Sequence, residues 1–330
     1  MDLVLKTTKG SKSVRSDIVE LGAFHSAEIE VLLLTNQIAN KQSYLKFTLP
    51  ISTDDGLYMN SEQARALGED LCELYGAARP FPHIVIDNFL PEKLIEEITS
   101  SFPGDLLPQD TLYENEYTGL HKRQVYPEDC ENKVRRVFHF LNSAPILQFL
   151  EGLTAIHSLI GDPYFQGGGF HEIRRGGKLR IHADFRVNER LHLIRRVNLL
   201  LYLNKGWDIH FGGALELWDA EMKSMKQSID PLFNRCVIFN TNSNSYHGHP
   251  DPLKTPDGLT RRSIALYYYT ASDRVYEEEP PSSTVFFARP EEQQIHKWNL
   301  LVLRIQNQLK DWTPPVVFRA AIRLKSKLKR

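Results

Sequence analysis

Cysteine is scarce in this sequence. Cys72, Cys130 and Cys236 are the only three in 330 residues, odd in number, far apart and without a Cys-x-x-Cys. That pattern argues against a disulfide framework and against a zinc ribbon, and favours small reduced side chains in a cytosolic protein. An excess of one charge is also lacking. Forty Lys and Arg stand against 41 Asp and Glu, a formal charge of −1, so a generally basic nucleic-acid binder is not expected. Long hydrophobic runs are missing too. Stretches such as Leu199 to Leu203 fall far short of the roughly 20 residues a membrane span needs. The N-terminal Met-Asp-Leu-Val-Leu-Lys-Thr-Thr-Lys-Gly-Ser-Lys has no apolar signal core, so the expected compartment is the cytoplasm. No internal repeat and no low-complexity tract is visible.

Hydrophobic residues make up 42% and charged residues 25%, which excludes disorder as the main state. At roughly 150 residues per domain, the length suits about two domains, or one large domain with elaborations. Such a chain can bury a core that needs neither disulfides nor a structural metal.

Residues 1–59 read as an N-terminal extension with β-like runs at 29–34 and 44–49. Residues 61–75 read as a helix, with Asn60 as N-cap, Gln63 three residues on, and Gly76 at the end. Pro80 and Pro82 break that helix before a strand at 83–86. Pro91 suits the first position of a helix to about 101. Residues 104–136 look polar and irregular, like a long loop or lid. A second helix spans about 145–160, with Ile146, Phe149, Leu150, Leu153 and Ile156 as its apolar stripe and Gly161 as its stop. Beyond it the texture turns to short β-rich runs at 168–174, 178–185, 195–203, 214–218, 235–240 and 261–269. Such spacing predicts a sandwich or jelly roll. An amphipathic helix is expected from Pro290 to about Lys310, ended by Pro314-Pro315. The tail after it is basic, with contact to an anionic surface as one reading.

The chemistry concentrates in Leu-Arg-Ile-His-Ala-Asp-Phe at 179–185. Alternate residues of a strand face one side, so His182 and Asp184 point to one place. With a remote histidine they would complete the two-histidine, one-carboxylate face of a metal that keeps three positions open. A lone His-x-Asp is more often a pair that binds nothing, and the sequence has a second one, His249-Pro250-Asp251, read as a loop. Two further features weigh in. His247, in Ser-Tyr-His-Gly-His-Pro, follows a β-run by a few residues, with His249 as its rival. Arg261 opens a strand on which Ser263, Ala265 and Tyr267 share its face. A buried arginine needs an anionic partner, and a dicarboxylate cosubstrate supplies one; Arg262 is the alternative.

In their order along residues 80–270 these elements resemble the prolyl-4-hydroxylase-like branch of the iron(II)/2-oxoglutarate dioxygenases. The matching pieces are the run Pro80 to Pro91, Gly-Gly-Lys-Leu-Arg-Ile-His-Ala-Asp-Phe at 176–185, Arg-Arg-Val-Asn-Leu-Leu-Leu-Tyr-Leu-Asn at 195–204, Gly-Gly-Ala-Leu-Glu-Leu-Trp at 212–218, and the segments holding His247 and Arg261. The resemblance implies an α+β fold, a double-stranded β-helix (jelly-roll) core at about 165–270 flanked by helices. It sits in a domain over 60–275, with extensions at 1–59 and 276–330. It implies Fe(II) on His182, Asp184 and His247, the far carboxylate of 2-oxoglutarate on Arg261, and O2 as oxidant, with ascorbate as a candidate reductant. The implied reaction converts 2-oxoglutarate and O2 to succinate and CO2 while hydroxylating an unactivated C–H bond. Asp184 favours hydroxylation over halogenation. Many relatives carry a tyrosine near the start of the first ligand strand. Here that stretch is His-Glu-Ile-Arg-Arg, 171–175, and His171, Asn198 or Tyr202 are the candidate substitutes.

The substrate is read as a small molecule, a sugar or glycan, an amino acid or a peptidyl proline. Arg174, Arg175, Lys178, Arg180, Arg186, Arg190, Arg195 and Arg196 crowd the ligand strand. They form a basic solvated rim or, on the functional reading, greet an anionic substrate. Arg186 is among the substrate-binding candidates. Trp207, Trp218 and Tyr202 would suit a sugar ring, but equally a core. His139, His157 and His296 read as structural. Two other classes compete: a non-catalytic jelly-roll carbohydrate-binding or scaffold module, and a cupin-type metal enzyme that does not use 2-oxoglutarate, in which Arg261 would lack its partner.

Overall fold

The computed structural model describes residues 44–272, 283–290 and 292, together with the backbone of two short strands near the N-terminus. These strands, β1 (Ile18–Glu20) and β2 (Glu30–Leu32), pair antiparallel. The helix expected beyond Pro290, the basic tail and His296 lie outside the described residues.

Four helices form. The first, α1 (Ser61–Ala77), starts where Asn60 Oδ1 accepts the Gln63 backbone N–H at 3.0 Å. It runs past Gly76, which is not left-handed and so does not cap it. The second, α2 (Glu92–Ser100), has Pro91 as its N-cap, not as its first residue. The expected loop at 104–136 is instead a hairpin followed by the helix α3 (Asn132–Leu141). Its polar look misled because the buried side chains are themselves polar and find distant partners. Arg123 pairs with Asp110 at 2.6 Å and with Glu172 at 3.3 Å, and Gln124 donates to the Gly168 carbonyl at 2.7 Å. The fourth helix, α4 (Ala144–Thr154), buries Ile146, Phe149, Leu150 and Leu153 as expected, but stops early. Ala155 takes the left-handed φ of 54° that ends it, and Gly161 lies in a strand.

Glycine lets α1 and α4 cross at backbone contact. A Cβ on Gly68 would sit 2.1 Å from the Phe149 carbonyl oxygen, and one on Gly152 would sit 2.4 Å from that of Arg65.

The remaining strands, in chain order, are β3 (Leu45–Lys46), β4 (His83–Asp87), β5 (Thr111–Asn115), β6 (Gly119–Val125), β7 (Ile160–Gly161), β8 (Gly169–Ala183), β9 (Val187–Asn188), β10 (Leu193–Tyr202), β11 (Leu215–Trp218), β12 (Met225–Ile229), β13 (Cys236–Asn240), β14 (His247–His249), β15 (Arg261–Ala271) and β16 (Val285–Phe286). The two runs expected at 168–174 and 178–185 are the single strand β8, which bends at Gly176 (φ 76°) without breaking. The segment around His249, expected to be a loop, is strand β14.

The path of pairing is β12-β11-β14-β8-β15-β10-β13-β4-β3. Only the β3–β4 pair is parallel among these neighbours. The first half of β8 pairs with β15 and its second half with β14, so this strand belongs to both walls. The sheet therefore curls on itself into a jelly roll, with the helices outside it.

Strand alternation sorts the two faces. Val197, Leu199 and Leu201 of β10 and Ile264, Leu266 and Tyr268 of β15 join the main apolar cluster with Phe138, Phe149 and Leu153 of the helices. The intervening Asn198, Tyr202, Arg261, Ser263 and Tyr267 face the inside of the roll. Residues 44–59, grouped in the sequence with the extension, add Leu45, Phe47, Leu49, Ile51 and Met59 to the same cluster.

Candidate active site

His182 lies near the end of β8, Asp184 just beyond it, and His247 opens β14 directly opposite His182. The strands can come this close because Gly248 follows His247. A Cβ there would lie 2.7 Å from the Arg180 carbonyl oxygen. The imidazole centroids are 4.4 Å apart. His182 Nε2 stands 3.7 Å from one Asp184 oxygen, and His247 Nε2 stands 3.5 Å from the other. One ligand atom from each residue falls within 4.8 Å of the rest.

Both rings are oriented from behind. His182 Nδ1 meets the Arg180 carbonyl at 2.8 Å, and His247 Nδ1 meets that of Ser245 at 2.9 Å. A carbonyl only accepts, so each Nδ1 carries the proton and each Nε2 is left with a bare lone pair. Burial, then the neighbouring His247, pushes His182 down to about 3, and burial likewise lowers His247. The rings are therefore neutral ligands at physiological pH. Burial alone would raise Asp184, but the Arg195 guanidinium, the two imidazoles and Asn198 outweigh it and hold the carboxyl well below its usual range. Two neutral imidazoles and one carboxylate on one side are a donor set for a divalent transition metal with positions left open.

Arg195 was legible only as one member of a basic run, yet it is the clamp on Asp184. Its guanidinium reaches Asp184 Oδ2 at 2.9 Å, and its Nε donates to Asn198 Oδ1 at 2.9 Å. Asn198 in turn donates to the same Asp184 oxygen at 2.8 Å. Residues three apart on a regular strand face opposite sides. Here the register slips between Arg195 and Val197, a β-bulge that brings both side chains to one face. The Tyr267 ring covers the guanidinium at 3.4 Å.

Arg261 is buried on the inner face of β15, and burial lowers its pKa. Its Nε donates to the Gly213 carbonyl at 2.8 Å, and it reaches the Tyr202 hydroxyl at 3.4 Å. No carboxylate among the described residues pairs with it. Gly213 makes the seat. It has φ 76°, and a Cβ would press 2.9 Å from Arg261 Cδ. Arg262 points elsewhere, onto Glu172 at 3.3 Å and the Phe102 ring.

The three ligands, Arg195, Asn198, Tyr202, Tyr267 and Arg261 open on one cavity of about 420 Å³. His171 lines it, with Nε2 on the Gly167 carbonyl at 3.0 Å, and so do Asn198 and Tyr202. Arg186 does not. Its guanidinium is turned to the Arg195 carbonyl at 2.7 Å and to Thr241, where it ties backbone together. Trp207 and Trp218 are buried away from the cavity. Of the basic run, Arg174, Arg175 and Arg190 are exposed. Several liners had no sequence signal. Lys122 and Tyr113 come from the hairpin, and Phe286 on β16 packs its ring 5.4 Å from that of His182. His249 also lines the cavity, but not the three-ligand cluster.

The chain is similar to several known proteins. Mouse prolyl 3-hydroxylase OGFOD1 is 25% identical over 197 residues, 58% of this chain. The alignment spans 33% of that protein, so the chain covers about a third of its relative's length. A Pseudomonas putida prolyl-4-hydroxylase structure is similar with a TM-score of 0.44 and 19% identity, over 63% of this chain and 99% of that one. A prolyl hydroxylase from Trichoplax adhaerens, solved with a hypoxia-inducible-factor peptide, gives 0.43 and 18%, over 67% and 92%. The family profile described as the 2OG-Fe(II) oxygenase superfamily matches residues 168–269, the stretch that holds His182, Asp184, Arg195, His247 and Arg261.

Proposed function

We propose that the chain is an Fe(II)- and 2-oxoglutarate-dependent dioxygenase that hydroxylates a substrate C–H bond. The observation that carries this is the convergence of His182 Nε2, His247 Nε2 and the Asp184 carboxylate in a buried cavity that also holds Arg261, with which no carboxylate among the described residues pairs. Bound there, iron with 2-oxoglutarate supplies O2 activation coupled to decarboxylation of the 2-oxo acid to succinate. The chain's own residues do the rest. His182, Asp184 and His247 hold the metal, and Arg195 and Asn198 keep Asp184 ionised and aimed. Arg261, braced by Gly213 and Tyr202, grips the far carboxylate of 2-oxoglutarate. Tyr202, His171 and Asn198, which line the same cavity, are the candidates to take the role of the tyrosine that many relatives carry. The catalytic unit is residues 60–275, with 44–59 packed into it. Arg261 disfavours a cupin-type enzyme, because a buried cation without an anion is costly. Peptidyl proline is the substrate option that the mouse relative's name supports; a small molecule, sugar or amino acid stays beside it.

The test is anaerobic titration of the metal-free protein with Fe(II) and then 2-oxoglutarate, read by the weak visible charge-transfer band. The band should vanish in His182→Ala and weaken in Arg261→Ala. Iron binding with no band would redirect the reading to the cupin-type enzyme, and no iron binding would leave the binding module.

A further inference from the structure

We propose that Lys122 and His249 form a second anion subsite in the cavity, which takes a carboxylate or phosphate group of the substrate. This rests on the dioxygenase reading above. Lys122 is buried, with 9% of its surface exposed, yet it makes no hydrogen bond and no ion pair to any described residue. Its ammonium stands 4.6 Å from the centre of the Tyr113 ring, whose hydroxyl is already committed to Gln124 at 3.0 Å. His249 is 3% exposed, and neither ring nitrogen has a hydrogen-bond partner. Both residues line the cavity. Buried groups left with unused hydrogen-bonding capacity are rare and costly, so two lining one cavity indicate a ligand that satisfies both.

Register places Lys122 on the hairpin strand beside β8, and His249 on β14 two residues beyond the ligand His247. Lys122 lies beside Ile173 of β8, and Ile173 lies beside Arg261 of β15, so the two cations flank one apolar residue. His249 and Gly119 both pair with Leu179, which brings β14 and the hairpin to the same stretch of β8.

Charge gives the ligand its sign. Among the described residues the cavity is lined by the cations Lys122, Arg195 and Arg261 against one carboxylate, Asp184, which Arg195 already pairs. Fe(II) and the 2-oxoglutarate dianion cancel each other, so a positive surplus stays inside even when both are bound. A neutral substrate would leave it uncompensated, whereas an anionic group on Lys122, accepting also from the His249 N–H, reduces it.

The experiment uses the full chain loaded with Ni(II) in place of Fe(II) and with saturating 2-oxoglutarate. Inorganic phosphate, N-acetylglycine and the neutral N-acetylglycinamide are titrated separately by calorimetry. At least one anion should bind the wild type about tenfold to a hundredfold more tightly than Lys122→Met or His249→Phe, the worth of a hydrogen bond to a charged group. The amide should not distinguish them, and Lys122→Arg should retain binding. Which anion prefers the wild type separates a carboxylate substrate from a phosphorylated one. Equal binding to wild type and Lys122→Met, or no anion binding at all, overturns the proposal. So does a tenfold loss of 2-oxoglutarate affinity in Lys122→Met with anion binding unchanged, which would give Lys122 to the cosubstrate. The dioxygenase reading is checked first and separately, by the charge-transfer band of the wild type before any anion is added.

Discussion

Replacing Arg195 with methionine removes the group that keeps Asp184 ionised while leaving all three metal ligands in place. The Arg195 side chain is 1% exposed and that of Asp184 is 11%, so little solvent can take over the pairing. Breaking a buried ion pair costs roughly 3–5 kcal/mol, but Asn198 still donates to the same oxygen at 2.8 Å. A loss of metal affinity of about 10–100-fold at neutral pH is therefore expected, the usual worth of a partner behind a ligand. The pH dependence follows from the sign of the shift. In the wild type the Asp184 carboxyl is held below its usual range, largely by Arg195 against the effect of burial. Without Arg195 burial dominates and the pKa rises. Metal binds the carboxylate, so affinity persists above the new pKa and falls as pH drops through it, by about 1.4 kcal/mol for each unit. Anaerobic Fe(II) titrations at pH 8, 7, 6 and 5.5 read this directly. The deficit of Arg195→Met relative to wild type should widen toward acid, and Arg195→Lys, with charge but no planar fork, should fall between. Equal affinity at every pH would refute the clamp.

Three other outcomes follow from the same geometry. Gly152→Ala should destabilise the fold by about 1–3 kcal/mol or more in urea denaturation, because its Cβ would meet backbone and not a movable side chain; an unchanged midpoint would show that α1 and α4 do not cross as described. The metal-free protein should lose stability as pH falls below about 6.5, since the unfolded chain protonates its imidazoles there while burial keeps His171, His182, His247 and His249 neutral when folded. The slope is up to about 1.4 kcal/mol per pH unit for each group, and a flat denaturation profile from pH 7.5 to 5.5 would count against it. Gly213→Ala should weaken 2-oxoglutarate about tenfold while sparing Fe(II), because the added methyl crowds Arg261 at 2.9 Å and a misplaced guanidinium loses a charged hydrogen bond; an equal loss of both ligands would contradict that division.

Much of the site lay in short-range pattern. His182 and Asp184 two apart, and Arg261, Ser263 and Tyr267 on one parity, are properties of a strand that any fold containing it inherits. Alternation also put Ala265 on the same face of β15 as Arg261 before any neighbour was known. The apolar stripe of α4 was equally local.

What only the tertiary structure decided is whatever depends on partners remote in sequence. The hairpin at β5 and β6 looked like a loop because Arg123 and Gln124 are polar, and their burial makes sense only once Asp110, Glu172 and Gly168 stand beside them. Arg195 joined Asn198 at Asp184 through a β-bulge, which shifts parity by one and leaves no mark in composition. Arg186 turned toward backbone carbonyls, away from the cavity, for want of any local signal of which way it faced. Lys122 entered the cavity from a hairpin some 60 residues before His182, where pairing of β6 with β8, and nothing in its own neighbourhood, brings a lone ammonium to the site. Period-2 alternation is written in each strand, but register between strands is a cooperative choice of the whole sheet.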